Sequence, residues 1–217
     1  VDKAFKGFEA GGLNQEVTTT QEQTFDYSTT QLNLPSAEAQ QFRSFAESIP
    51  EVDLNIEEGG RETNPHITVL YGLETTDVSQ IRPIVEAVGP IEVELGNTDV
   101  FNREGYDVLK VDVISKQLED LHAKIDAALD TPGNKFPDYQ PHVTIAYLKP
   151  EASAKYVGDG RFKGTKITMN ELKFNTKDGK SFSIPLTGKA TESVQDTKVA
   201  PQDKKTESVQ VEQEQTG

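Results

Sequence analysis

Two of the three histidines in this 217-residue chain sit in the same short phrase. Residues 65–71 read Pro65-His66-Ile67-Thr68-Val69-Leu70-Tyr71, and residues 141–147 read Pro141-His142-Val143-Thr144-Ile145-Ala146-Tyr147. Both are Pro-His-φ-Thr-φ-x-Tyr, with φ β-branched and apolar, and the histidines are 76 residues apart. β-Branched pairs favour strands, where successive side chains alternate faces. His66 and Thr68, like His142 and Thr144, therefore share one face, and the β-branched residues take the buried one. On regular strands Tyr71 and Tyr147, five residues past each His, face away from the His–Thr pair.

Three uses of paired histidines compete. The first is structural, a buried imidazole bonding its neighbour twice over. The second is a metal site, but a catalytic zinc typically takes three protein ligands, and there is no His-Glu-x-x-His or His-x-His. The third is metal-free acid–base catalysis at a phosphodiester. One imidazole with a pKa of about 6.5 deprotonates the attacking hydroxyl while the other protonates the leaving oxygen. The Thr hydroxyls would hold the non-bridging oxygens.

The rest of the chain narrows these uses. With no cysteine, thiolate metal sites, disulfides and a cysteine nucleophile are excluded. Net charge is −14, of which residues 1–24 and 189–217 carry −2 each. A body so acidic lacks the basic footprint of a protein that grips long nucleic acids, whereas a small phosphate ligand held locally is compatible. No apolar run approaches the roughly 20 residues that span a bilayer, so no membrane partner is expected, nor a signal peptide. With Val1 first and Met169 its only methionine, the chain reads as a fragment, a processed product or a trimmed polypeptide.

Residues 1–24 read as a flexible arm or linker, 25–188 as one domain, and 189–217 as a disordered polar tail repeating Thr-Glu-Ser-Val-Gln. Strands are expected at Phe25–Leu34, Val52–Ile56, Ile91–Leu95 and Asp107–Val113, besides the two motif strands. A final pair is expected at 165–175 and 181–187, turned at Lys177-Asp178-Gly179-Lys180. Ser36 is expected to cap a helix over Ala37–Ile49, Asp77 one running to Val88, and Ser115 one with Leu118, Leu121, Ile125 and Leu129 on its apolar face. A loop holding Phe101 and Tyr106 offers rings that could stack a base. His122, at the edge of the last helix's apolar stripe, reads as structural. The fold class is α+β, and each half has a helix ahead of a His–Thr strand. Two lobes related by a pseudo-two-fold axis would face their histidines across a groove.

The doubled His-φ-Thr-φ-x-Tyr pattern resembles the two-histidine (2H) phosphoesterase superfamily, which includes LigT-type RNA ligases and cyclic phosphodiesterases. The resemblance covers about residues 25–187. It implies two small antiparallel sheets facing a central cleft with helices outside, the catalytic set His66, Thr68, His142 and Thr144, and no required metal or cofactor. More narrowly, Phe136-Pro137-Asp138-Tyr139-Gln140-Pro141-His142 is similar to 2H modules of tailed phages, often fused to virion proteins, and to the phage anti-CBASS nuclease, which degrades cyclic oligonucleotide immune messengers. Tyr71 and Tyr147 at the ends of the motif strands, and Phe101 and Tyr106 on their loop, are candidate substrate contacts, and on that likeness Tyr27 and Glu171 are too. The first-strand Lys of those relatives has no counterpart here. The implied activity is hydrolysis of 3′–5′ linkages in cyclic di- or trinucleotides, in the host cytoplasm or on the virion. The alternatives are a 2′,3′-cyclic phosphodiesterase or 2′–5′ RNA ligase-like enzyme, and a nucleotide- or protein-binding module of a phage structural protein.

Overall fold

Each motif strand buries its β-branched side completely: Ile67, Val69 and Val143 are 0% exposed and Ile145 is 1% exposed. That apolar face needs a cover, and helices provide it. The computed structural model describes residues 25–136 and 138–188; the expected arm and tail lie outside them. Strands β1 (Ser28–Asn33), β2 (His66–Leu73), β3 (Ile91–Asn102), β4 (Asp107–Ile114), β5 (His142–Leu148), β6 (Lys166–Met169), β7 (Glu171–Asn175) and β8 (Ser181–Pro185) are joined by helices α1 (Ser36–Ser48), α2 (Val78–Glu86), α3 (Lys116–Ala128) and α4 (Pro150–Ser153). Among the described residues no helix is long and apolar enough to cross a membrane.

The strand order is β6-β3-β4-β5-β2-β1-β7-β8, with every pairing antiparallel. It reads the same from either end under a two-fold exchange of β2 with β5, β1 with β4, β7 with β3 and β8 with β6. The two small sheets expected from the resemblance are thus halves of one continuous order, stitched by a single register pair, Ile67↔Val143. Beyond that pair the motif strands part, because other segments take their edges. Arg61 and Leu54 bridge to Ala146 and Leu148 of β5. On β2, the Gly72 carbonyl accepts from Gly133 N–H at 3.1 Å. Gly72 has φ 94°, and a Cβ there would lie 2.3 Å from the Gly133–Asn134 backbone, an approach that only glycine allows. The parted strands open the cleft.

The covering helices are exchanged between lobes. α1 packs behind β5, and α3 behind β2. Phe42 of α1 stacks on Phe162 at 4.2 Å, inside the lobe that carries His142. Asp77 and Ser115 cap α2 and α3 by accepting from the Ser79 and Leu118 N–H groups. Ser36 caps nothing; it is the first helical residue, and Pro35 holds the cap position without a side-chain bond. Other expectations are corrected. Residues 51–53 form a 3₁₀ turn with Val52 72% exposed, because Pro50 and two acidic residues favour a turn over a strand. β3 runs on to Asn102, so Phe101 lies on a strand. Residues 166–175 split between lobes: β6 pairs with β3 and β7 with β1.

Candidate active site

The proline of each phrase sets the histidine. Proline pushes the residue before it into extended backbone, which turns that residue's carbonyl toward the His ring. His66 Nδ1–H donates to the Asn64 carbonyl at 2.7 Å, and His142 Nδ1–H to the Gln140 carbonyl at 2.7 Å. A carbonyl only accepts, so the proton of each neutral ring sits on Nδ1 and each Nε2 is left to the cleft. The proline carbonyls accept from the neighbouring strands, Pro65 from Leu34 N–H at 3.2 Å and Pro141 from Val113 N–H at 3.0 Å.

At the pair Ile67↔Val143, strand alternation puts His66 and Thr68, flanking Ile67, and His142 and Thr144, flanking Val143, on the face opposite those two apolar residues. Four polar side chains from two sequence-distant strands thus share one face across the seam, and all four are half-buried. The two rings are near enough for the charge of His66 to bear on His142.

The tyrosines correct the reading from regular strands. Gln31 pairs with Thr68 but Thr30 with Leu70, so Val69 is an extra residue in β2. Lys110 pairs with Thr144 but Leu109 with Ala146, so Ile145 is an extra residue in β5. Such β-bulges shift the alternation by one. Leu70 and Ala146 go into the core, at 2% and 0% exposure, and the tyrosines return to the His–Thr face. Tyr71 and Tyr27 meet edge to face at 6.0 Å and line a cleft of about 640 Å³ with Gln31, Thr29 and Asn175. In the other lobe Tyr147 approaches Tyr106 at 6.1 Å. The same bulge at the same offset in both strands is what the doubled phrase encodes.

In the lobe of His142, the Phe101 and His142 rings meet edge to face, with centroids 4.9 Å apart. The Arg103 guanidinium lies 5.4 Å from the Phe101 ring and 5.9 Å from Phe136. Glu171 stands apart on β7, where it pairs with Lys173 at 3.7 Å. His122 donates from Nδ1 to the Val69 carbonyl at 2.7 Å and stacks on Tyr139 at 4.0 Å.

Sequence reasoning missed the second row of the floor. On β4, Lys110 lies opposite Thr144 and Asp112 opposite His142; on β1, Gln31 lies opposite Thr68 and Asn33 opposite His66. Lys110 is 3% exposed. It pairs with Asp112 and, at 3.3 Å, with Asp99, and its ammonium sits 4.6 Å over the Phe101 ring. Burial, with Lys110 and the His66 ring acting in the same direction, holds the His142 imidazole below its ordinary pKa, against the opposing pull of the Gln140 bond and Asp112. The signal was present: Gln31-Leu32-Asn33 and Lys110-Val111-Asp112 alternate polar with apolar, as His-φ-Thr does.

Solved structures share this fold. TT0787 of Thermus thermophilus superposes with a TM-score of 0.52 at 13% identity, covering 75% of this chain and 98% of that one. Kluyveromyces marxianus Usb1 gives 0.53 at 13% identity, over 74% and 98%. Escherichia coli LigT in apo form gives 0.51 at 17% identity, over 76% and 95%. No curated protein matches the sequence. The sequence pattern of the 2′-5′ RNA ligase superfamily matches residues 35–160, more than half of the chain. With the fold and the doubled His–Thr phrase agreeing, the chain belongs to the 2′-5′ RNA ligase superfamily of 2H phosphoesterases.

Proposed function

We propose that the protein hydrolyses 3′–5′ linkages of cyclic di- or trinucleotides without a metal, with His66, Thr68, His142 and Thr144 as its catalytic set. The observation that carries the reading is the pair of histidines, each pinned through Nδ1 to a backbone carbonyl on strands joined at Ile67↔Val143. Each ring then works through Nε2 alone, one as acceptor and one as donor.

His142, whose burial beside Lys110 favours the neutral ring, is the base. Its Nε2 takes the proton of the ribose 2′-hydroxyl, and O2′ forms a bond to phosphorus. The P–O5′ bond breaks, and His66 delivers its Nε2 proton to O5′. The product is a 2′,3′-cyclic phosphate. His66, now neutral, takes a proton from water, the water oxygen bonds to phosphorus, and His142 returns its proton to the departing ribose oxygen. Thr68 and Thr144 donate to the non-bridging oxygens, where charge gathers.

An internal linkage is favoured over a terminal cyclic phosphate because each lobe offers aromatic side chains. Tyr27 and Tyr71 line a cleft in the His66 lobe, and Phe101, with Arg103 and Phe136, stands beside His142 in the other. A nucleoside on each side of the phosphorus could stack on each. The likeness of residues 136–142 to phage 2H modules supports a role against cyclic-oligonucleotide immune messengers, in the host cytoplasm or in association with a virion protein.

The test is incubation with cyclic di- and trinucleotides in EDTA, read by chromatography. Turnover is expected, with losses of about 10²–10⁴-fold in His66→Ala and in His142→Ala. Cleavage that survives either substitution, or that EDTA abolishes, overturns the reading. Tight binding without products would instead indicate a binding module.

A further inference from the structure

A line of side-chain hydrogen bonds crosses the floor of the His66 lobe from its edge strand inward. Ser181 Oγ–H on β8 donates to Asn175 Oδ1 on β7 at 2.7 Å. Asn175 Nδ2–H donates to Gln31 Oε1 on β1 at 3.0 Å, and Gln31 Nε2–H donates to Asn33 Oδ1 at 2.6 Å. Asn175 and Gln31 each accept on oxygen and donate from nitrogen, so all three bonds run the same way, toward the seam. Gln31 is 8% exposed and engaged at both ends. Turning its amide over would set oxygen against oxygen and nitrogen against nitrogen, and bury two unsatisfied groups.

Asn33 is the end of the line. Its oxygen is taken by Gln31, which fixes the direction of its NH₂ group. Among the described residues no protein group accepts from Asn33 Nδ2. The residue is exposed and is the register partner of His66, so both side chains stand on the cleft face. In the other lobe the equivalent place, opposite His142, belongs to Asp112, a carboxylate engaged by Lys110. The two-fold plan is therefore broken chemically: outward-pointing donors beside one histidine and a neutralised acceptor beside the other.

Resting on the phosphodiesterase reading above, we propose that Asn33 is a substrate-binding residue whose Nδ2 hydrogens hold a non-bridging oxygen of the scissile phosphate beside His66, and that Gln31 is the positioning residue that aims it. An anionic oxygen accepts and never donates, which is what a fixed pair of N–H donors selects. With Thr68 on the same side, the amide would hold one of the two non-bridging oxygens and make them inequivalent.

The decisive substrate is a cyclic dinucleotide carrying a phosphorothioate linkage in its Rp and Sp forms, compared with the ordinary cyclic diester. Asn33→Ala is expected to lower kcat/KM about 10-fold, and Asn33→Asp, which sets a carboxylate against the phosphate, to lower it further. The Rp/Sp rate ratio is expected to change about 10-fold between wild type and Asn33→Ala, and to change likewise in Gln31→Leu. A purely structural role would leave that ratio untouched, and an unchanged ratio overturns the proposal. A second measurement needs no turnover. In titrations with inorganic phosphate, the side-chain NH₂ resonances of Asn33, assigned by their loss in Asn33→Ala, should shift together with the His66 ring signals. If the imidazole signals move and those of Asn33 do not, this inference falls and the phosphodiesterase reading stands. If neither moves, both fall.

Discussion

At the scale of single residues, the two histidines are alike in their own bonds and unlike in their neighbours. Both give Nδ1–H to a carbonyl two residues back. His66 faces the neutral amide of Asn33, whereas His142 has a buried ammonium nearby, Lys110, flanked by Asp99 and Asp112. The ammonium opposes a second positive charge and the carboxylates favour one. Burial is the larger effect, the ammonium acts with it, and the His142 pKa lies below the ordinary imidazole value. A base must be neutral to act, so kcat/KM should rise with pH through a limb lying below the ordinary imidazole range. In Lys110→Met the two carboxylates lose their counter-charge, and imidazolium at position 142 is favoured. The acidic limb of the pH–rate profile should then move to higher pH, with activity recovering as the pH is raised. A limb that stays in place would show that Lys110 does not set the state of His142. The sequence located the histidines and their hydroxyl partners through a repeated phrase. It did not reveal Lys110 or Asn33, because neither is repeated and each acquires its place only through register with a motif strand.

At the scale of elements, the bulge is the device that matters. It leaves consecutive β2 carbonyls without a regular ladder, and side chains satisfy them. The Tyr139 hydroxyl donates to the Thr68 carbonyl at 2.8 Å, His122 donates to that of Val69 at 2.7 Å, and Thr29 and Thr30 donate to that of Leu70 at 3.2 and 3.3 Å. His122 is thus a clamp on the strand that carries His66, reached from the helix behind it. Burial raises the Tyr139 phenol well above its ordinary pKa, so it stays a donor throughout the working range. Removing the clamp with His122→Phe should cost about 1–3 kcal/mol, measured by chemical denaturation. It should also lower kcat/KM through Thr68 and Tyr71 without moving the acidic limb. Full stability in that variant would mean that the bulge holds itself. This element also shows what periodicity can and cannot convey. The strands, α1 and α3 were legible as alternation and helical spacing. The bulges were not, since one extra apolar residue in Val69-Leu70 or Ile145-Ala146 looks the same whether it faces solvent or core. The turn at 51–53 was misread because its apolar Val52 is exposed, against the assumption that apolar residues in a short run are inward.

At the scale of the whole molecule, the seam poses a question of rigidity. One register pair, Ile67↔Val143, is little to hold two lobes at the separation a shared phosphorus requires. The exchanged helices answer it. α1 follows β1 in sequence yet packs behind β5, and α3 follows β4 yet packs behind β2. Neither lobe can bury its own motif strand without the other half of the chain. The lobes should therefore unfold together, as a single cooperative transition. Phe42 is the residue on which to test this. It is 1% exposed, stacks on Phe162, and belongs to the half of the sequence that supplies His66 while packing in the lobe of His142. Phe42→Ala should cost about 3–5 kcal/mol. Hydrogen exchange would read the two lobes separately: the amides of β1 and β7, far from the cavity, should lose protection by the same free energy as those of β4 and β5. If β1 and β7 keep their protection while β4 and β5 lose theirs, the lobes are independent units, and the alignment of the two histidines must rest on the Ile67–Val143 seam alone.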